Sequence, residues 1–273
     1  MSLHFLKMQG AGNDFILIDN RNNSITEEWL AGLAPSICNR KFGVGSDGII
    51  ALSEDSSNKS NLVMLYKNPD GSDAGMCGNG ARCLAAFAKW LGYGNEFTIR
   101  VNESVYKATC LDDSVIIDFP IRTKVNTITL NGKIAYKIYT NTEHVVIPLE
   151  SFEKLGDEDT LITEGSACRY HKMFEPKGTN VNFIYGKKRE ELHLQTYERG
   201  VENLTLSCGT GAIASAIGWH HLKKSKNGDF SYIVKTKGGT LTIHFSFDDN
   251  TKEYFNIQLE GSAVFVFEGD YYI

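Results

Sequence analysis

Cys77-Gly78-Asn79-Gly80-Ala81 and Cys208-Gly209-Thr210-Gly211-Ala212 are the same phrase written twice, 131 positions apart. The offset extends beyond the phrase: Tyr66 falls on Tyr197, each 11 residues before its cysteine, and Ala85 and Leu91 fall on Ala216 and Leu222. A shared tyrosine offset and matching apolar stretches point to an internal duplication rather than a chance recurrence. Each copy reads in the same order. Asn61–Tyr66 is a β-rich run, Asn68-Pro69-Asp70-Gly71-Ser72 is turn chemistry, and Ala81–Leu91 is alanine-rich enough for a buried helix. In the second copy Leu192–Tyr197 is the strand and Ala212–Leu222 the helix. Each cysteine is therefore expected at a glycine turn that feeds a helix N-terminus.

Outside the repeat the chain reads as strands bounded by Gly, Asn and Asp: 97–101, 114–119, 232–236, 240–247 and 254–260. The pattern predicts an α+β protein rich in antiparallel pairs. Pro120 to Val125 is the expected crossing between the halves, and a last strand at 263–267 can pair with either.

With 273 residues and 42% hydrophobic content, the chain can bury one large core or two smaller ones. Its net charge is −5 with Lys and Arg scattered, so no basic stripe marks a nucleic-acid partner, and a small molecule is the expected ligand. No run approaches the roughly 18 apolar residues of a membrane span, and the first 20 residues do not read as a leader, which predicts a cytoplasmic protein with no membrane partner. Six cysteines at 38, 77, 83, 110, 168 and 208 form no C-x-x-C pair and no zinc-like set, so neither a metal nor a disulfide framework is expected.

Two cysteines at helix N-termini suit one kind of chemistry. The α-hydrogen of an amino acid is a very weak acid, and each pKa unit between it and its base costs about 1.36 kcal/mol. No lysine and phosphate-loop combination offers pyridoxal phosphate as an electron sink, so no cofactor is expected. A helix N-terminus instead lowers a thiol from its reference pKa of about 8.5. The glycines at 78, 80, 209 and 211 let backbone N–H groups approach an anion closely. If both helix ends face one substrate, one thiolate removes the α-proton and the opposite thiol returns another, inverting the centre. Cys38, Cys83, Cys110 and Cys168 have no twin context and read as structural, Cys83 on the buried face of its helix. His144 and His171 read as ordinary, and Asp47 in Gly43-Val44-Gly45-Ser46-Asp47-Gly48 as a turn cap.

Lys7-Met8-Gln9-Gly10-Ala11-Gly12-Asn13-Asp14-Phe15, Gly43 to Gly48, Asn68 to Cys83, Gly178-Thr179-Asn180-Val181-Asn182-Phe183, Tyr197-Glu198-Arg199-Gly200-Val201 and Cys208-Gly209-Thr210-Gly211 together resemble the ordered motifs of diaminopimelate epimerases. The resemblance spans essentially the whole chain. It implies two pseudo-symmetric domains, each a mostly antiparallel sheet wrapped around a central helix, with the active site in the cleft between them: residues 1–121 plus 262–273, and 122–261. It implies Cys77 and Cys208 as the catalytic pair for interconverting LL- and meso-diaminopimelate, in the pathway to lysine and cell-wall precursors, without cofactor or metal. It further implies Asn13, Asn68, Asn180 and Arg199 as ligands of the substrate's distal end, with Glu198 and the Arg199 carbonyl on its ammonium. Gly78, Asn79, Gly209 and Thr210 would hold the reacting α-carboxylate. A homodimer is the implied assembly.

Two positions depart from the pattern. Asn141-Thr142-Glu143-His144 stands where the family has a Gly-x-Pro-His turn, putting Thr142 at a substrate-facing position, and Leu204 replaces a common glutamate. Proline or hydroxyproline racemases also use two cysteines in glycine turns, but Glu198, Arg199 and Asn68 favour a substrate charged at its far end. A phenazine-biosynthesis-type isomerase would leave both cysteines without a task. A non-catalytic protein that binds an anion or amino acid at the glycine turns is the remaining alternative.

Overall fold

The computed structural model describes residues 2–57, 60–223 and 226–273. Two compact units divide the chain: Met1–Asp118 with Gly261–Ile273, and Phe119–Glu260.

In the first unit, β1 (Ser2–Gly10) and β2 (Asn13–Asn20) form a hairpin, followed by α1 (Glu27–Ile37), β3 (Ile49–Glu54), β4 (Leu62–Lys67), α2 (Gly78–Trp90), β5 (Glu96–Val101), β6 (Ser104–Cys110) and β7 (Val115–Phe119). The second unit runs β8 (Asn126–Leu130), β9 (Lys133–Tyr139), β10 (Glu143–Pro148), α3 (Phe152–Gly156), α4 (Glu158–Arg169), β11 (Asn180–Tyr185), β12 (Glu191–Glu198), β13 (Asn203–Thr205), α5 (Gly209–Leu222), β14 (Gly228–Thr236), β15 (Gly239–Asp248) and β16 (Glu253–Gly261). The last strand, β17 (Val264–Tyr272), pairs antiparallel with β1.

The pairing scheme repeats. β1–β2, β3–β4 and β5–β6 are antiparallel while β2–β3 and β4–β5 are parallel. In the second unit β9–β10, β11–β12 and β14–β15 are antiparallel while β10–β11 and β12–β14 are parallel. A parallel pair needs a crossover of a dozen or more residues, so each unit carries two helical crossovers. The second crossover is the repeated helix itself: α2 packs on β1, β2, β3 and β6, and α5 on β9, β10, β11, β12, β14 and β15. Its residues are small because strands press on it from several sides. Every residue of α5 from Gly209 to His220 is buried.

The first crossover corrects the strand-dominated reading of the remainder. Residues 27–37, 152–156 and 158–169 are helical, and α1 carried its own signal. Thr26 caps it by accepting from the Trp29 N–H at 3.2 Å, Glu27 and Glu28 open it, and Leu30, Leu33, Ala34 and Ile37 recur at helical spacing. Those four side chains form a core with Phe5, Ile16, Ile18 and Ile49. On the second unit the equivalent core holds Leu155, Leu161 and Cys168 against Val145, Val181 and Phe183. Leu204 packs against that same core, which accounts for an apolar residue there in place of a glutamate.

His220, in the last turn of α5, is enclosed by Phe230, Tyr232, Phe245, Phe247 and Tyr254, with its Nδ1 3.0 Å from the Tyr254 hydroxyl. Burial pushes its pKa down to about 4, with His221 and Arg189 adding to the effect. Burial likewise pushes His144 down to about 3, assisted by Arg199. Both folded values lie below the ordinary 6.5, so the unfolded chain takes up protons that the folded one refuses. Their stabilisation is present above pH 6.5 and is lost as pH falls towards 4 and 3. Unfolding free energy should drop by on the order of a few kcal/mol across that window, and His220→Phe should flatten the drop. Urea midpoints measured from pH 7 down to about 4 check this; a flat wild-type profile would refute neutral burial.

Candidate active site

The cysteines sit at the N-caps of the twin helices. Cys77 is the N-cap residue of α2 and Cys208 that of α5, both in extended backbone conformation, and of the two only Cys77 makes a side-chain capping bond. Their carbonyls accept from Ala81 and Ala212 N–H, each at 2.8 Å, which closes the first helical turn of each copy. The helix thus starts at Gly78 and Gly209, earlier than the alanine-rich stretch suggests. The glycines belong to the first turn, not to a loop before it. A first turn leaves its N–H groups without intrahelical partners, so each cysteine stands beside a cluster of donors at the positive end of a buried helix.

On the first unit, Cys77 Sγ accepts from the Gly80 N–H at 3.4 Å and lies 3.6 Å from Asn13 Oδ1, to which the thiol donates. Asn13 is held in that orientation. Its Nδ2 donates to Asp47 Oδ2 at 2.6 Å, and Asp47 also accepts from the Asp14 N–H at 3.2 Å. Asp47 therefore does more than cap a turn: it fixes a predicted ligand. Burial favours a neutral Asp14, but Arg40 at 2.6 Å and the buried Lys7 at 2.6 Å hold its carboxyl well below the usual range. Lys7 also donates to the Gly45 carbonyl. The two glycine-rich motifs at 7–15 and 43–48 are thus one structure that positions Asn13. Arg82, fully buried, donates to Asn79 Oδ1 at 2.9 Å and to the Gly78 and Ser262 carbonyls, each at 3.3 Å. Asn68 Nδ2 donates to Ser72 Oγ at 3.0 Å, within the 68–73 turn.

On the second unit, Asn180 Oδ1 accepts from the Arg199 N–H at 2.9 Å and its Nδ2 donates to the Glu143 carbonyl at 3.3 Å. The Arg199 guanidinium donates to Thr142 Oγ1 at 3.0 Å. Asn180, Arg199 and Thr142 are one cluster, and Glu198 precedes Arg199 at the end of β12. Cys208 Sγ lies 3.6 Å from Thr210 Oγ1, which lies 3.0 Å from His144 Nε2.

Sequence reasoning missed that the Thr210 hydroxyl stands beside Cys208 and that His144, itself 3.1 Å from Asn182 Nδ2, stands beside that hydroxyl. A buried position on β10 was legible for His144, but its partner is 66 residues away and no local pattern announces that contact. His171 does behave as an ordinary cap, accepting from the Met173 N–H. Cys83 is fully buried in α2 and its thiol is pushed up to about 12 by burial, while burial also raises Cys38, Cys110 and Cys168. These four are inert by environment. Among the described residues, no group of three or more His, Cys, Asp or Glu side chains is arranged to hold a metal ion. No described helix is long and apolar enough to cross a membrane.

Comparison with known proteins bears directly on this arrangement. The family model described as diaminopimelate epimerase matches residues 5–118 and 136–266. The chain is 36% identical over 263 residues to the diaminopimelate epimerase of Flavobacterium psychrophilum, covering 96% of this chain and 97% of that one. It is 37% identical to the diaminopimelate epimerase of Aquifex aeolicus, over 98% of this chain and 97% of the relative. Solved structures with the same fold include a PhzF-family phenazine biosynthesis protein from Bacillus anthracis, with TM-score 0.77, 14% identity and full coverage of both chains. A hydroxyproline epimerase from Agrobacterium vitis aligns with TM-score 0.72 and 14% identity, over 99% of this chain and 91% of that one.

Proposed function

This chain belongs to the diaminopimelate epimerase family of amino-acid isomerases, and from that premise we propose that it interconverts LL- and meso-diaminopimelate with Cys77 and Cys208 as its two bases. The observation that carries the reading is the pair of cysteine N-caps on twin buried helices, each followed by G-x-G. In one direction a thiolate takes the α-proton from one face, and the electron pair left on carbon delocalises into the α-carboxylate. N–H groups of Gly78, Asn79, Gly209 and Thr210 stabilise that charge. The thiol on the other face then donates its proton to carbon and becomes the thiolate. The two sulfurs have exchanged roles and the centre is inverted.

Asn13, Asn68, Asn180 and Arg199 bind the distal end, with Glu198 and the Arg199 carbonyl on its ammonium. Arginine suits a carboxylate because its planar fork donates twice. Thr142, already bonded to the guanidinium, bears on the substrate through Arg199. The enzyme serves lysine and cell-wall precursor synthesis in the cytoplasm. Four buried thiols outside any disulfide accord with a reducing compartment.

The assembly we assign is a homodimer. Val264, Phe265, Val266 and Phe267 of β17 are all about half exposed, and Trp90 lies 6.3 Å from Phe265, ring to ring. So much apolar surface on one strand suits a second copy. Light scattering should give twice the chain mass, and Phe265→Glu should halve it; a monomeric wild type would overturn the assignment.

The substrate test is incubation in deuterium oxide with LL-diaminopimelate, proline and hydroxyproline in parallel, read by mass. Deuterium should enter diaminopimelate alone. Preferential labelling of proline or hydroxyproline would favour the racemase alternative, and no labelling at all a binding protein.

A further inference from the structure

One turn of the second unit reaches two groups assigned above to opposite ends of the substrate. Thr140, Thr142 and His144 alternate through the tight connection between β9 and β10, which the Thr140 N–H closes by donating to the Thr142 carbonyl at 3.0 Å. Asn141 at its apex has φ +65°, a left-handed conformation that asparagine tolerates better than most residues. Thr140, fully buried, donates its hydroxyl to the Thr210 carbonyl at 3.1 Å, and His144 Nε2 lies 3.0 Å from the Thr210 hydroxyl. Thr142 Oγ1 accepts from the Arg199 guanidinium at 3.0 Å. The Glu143 carbonyl holds Asn180 Nδ2, and Asn180 Oδ1 accepts from the Arg199 N–H at 2.9 Å. Residues 140–144 thus hold both Thr210 and Arg199, each at backbone and side chain. In the repeat-equivalent turn, Gln9–Asn13, Ala11 stands in the place of Thr142, and Gln9 folds back on the turn itself, its Oε1 accepting from the Gly12 N–H at 3.0 Å. A hairpin at this place therefore closes without the two hydroxyls.

We infer that the 140–144 turn is a length gauge in which Thr140 and Thr142 are positioning residues. They fix the separation between Thr210, at the reacting α-carboxylate, and Arg199, at the distal carboxylate. The site then selects a substrate by the number of carbons between its two amino-acid heads. The inference rests on the diaminopimelate reading above and deepens it. A guanidinium on a long, flexible stem follows a displaced carboxylate unless something holds it. Arginine carries five N–H donors, so the one given to Thr142 leaves enough for a carboxylate gripped at one fixed place.

The test compares LL-diaminopimelate with LL-diaminosuberate, the homologue with one more methylene between its heads. Both are followed by α-deuterium uptake in deuterium oxide for the wild type, Thr142→Val, Thr142→Ser and Thr140→Val, with circular dichroism on each variant. The wild type should prefer diaminopimelate in kcat/KM by at least roughly tenfold. Thr142→Val loses a hydrogen bond to a charged group and should raise KM for diaminopimelate roughly tenfold with kcat little changed, because the distal head is bound alike in ground and transition states. Its preference for diaminopimelate over diaminosuberate should fall towards one, and serine should restore both quantities. Thr140→Val, which loosens the reacting end, should lower kcat for diaminopimelate and also reduce the preference. Thr142 is only partly buried, so the Thr142 pair decides the question even if the buried Thr140 tolerates no change. A folded Thr142→Val with unchanged preference, an equal loss on both substrates, or a serine variant that behaves as valine would overturn the gauge. So would a wild type that labels both substrates equally well. A wild type that labels neither would instead sink the diaminopimelate reading and the gauge with it, a result visible before any variant is made.

Discussion

Cys77→Ala and Cys208→Ala will each lose epimerisation in both directions, by at least roughly a thousandfold, while remaining folded. Inversion needs a base on one face of the α-carbon and an acid on the other, and each thiol fills one role in each direction. Removing either therefore stops both directions, unlike the loss of a residue that only binds one isomer. The fold should survive because the change is small. Cys77 Sγ contributes a single 3.4 Å contact from the Gly80 N–H as its capping bond, and sulfur is a weak acceptor. Slow exchange of the α-proton without inversion is expected to persist through the surviving thiol. Turnover of both isomers, with circular dichroism on each variant, checks this. A folded single variant that epimerises near the wild-type rate in either direction would remove that cysteine from catalysis.

Gly211→Ala should be far more damaging than Gly80→Ala, although the two glycines are repeat equivalents. A Cβ on Gly211 would stand 2.5 Å from Asn182 Oδ1 and 3.2 Å from both Cβ and Sγ of Cys208. Asn182 is fully buried and bonded at both ends of its amide, so it has nowhere to go. The methyl must displace either the reactive sulfur or the amide that orients His144. Overpacking of this kind costs about 1–3 kcal/mol, and the misplaced thiol should lower kcat by at least about tenfold. A Cβ on Gly80 would instead meet the side-chain ends of Ile50 and Met64 at 3.0 Å and of Phe15 at 3.5 Å. Methionine in particular can shift by a few tenths of an ångström. Thermal denaturation and kcat of both variants test the contrast, and equal behaviour of the two would contradict it.

The duplication, and with it the twin helices and their cysteines, was legible because it is written in local sequence: a phrase, a tyrosine offset and two apolar stretches. Even so, the repeated tyrosines meet different neighbours. Tyr66 stacks edge-on against Phe15, whereas Tyr197 presses on Gly165 of α4. The first-crossover helices, α1 and the α3–α4 pair, were missed because the parallel pairing that demands them is a non-local fact. For α1 the cap at Thr26 and the Leu30-Leu33-Ala34-Ile37 spacing were nonetheless present. Asp47 was misread for the same reason, since its partners Asn13 and Arg40 come together only through folding. The contacts of His144 with Asn182 and Thr210 were beyond sequence reasoning altogether, because they join residues 38 and 66 positions apart that only the pairing of β10 with β11 and the packing of α5 bring together.

The central claim, two monoprotic thiols acting on one α-carbon, is tested most directly by the first turnovers of the wild-type protein on LL-diaminopimelate in deuterium oxide. The thiol that removes the proton holds that one hydrogen and can return it only to the face it came from. The opposite thiol carries solvent deuterium and delivers it to the product. Early in the reaction, meso-diaminopimelate should carry one α-deuterium while the recovered LL substrate carries none. Deuterium appearing in recovered substrate as fast as in product, or product free of deuterium, would contradict the two-thiol account.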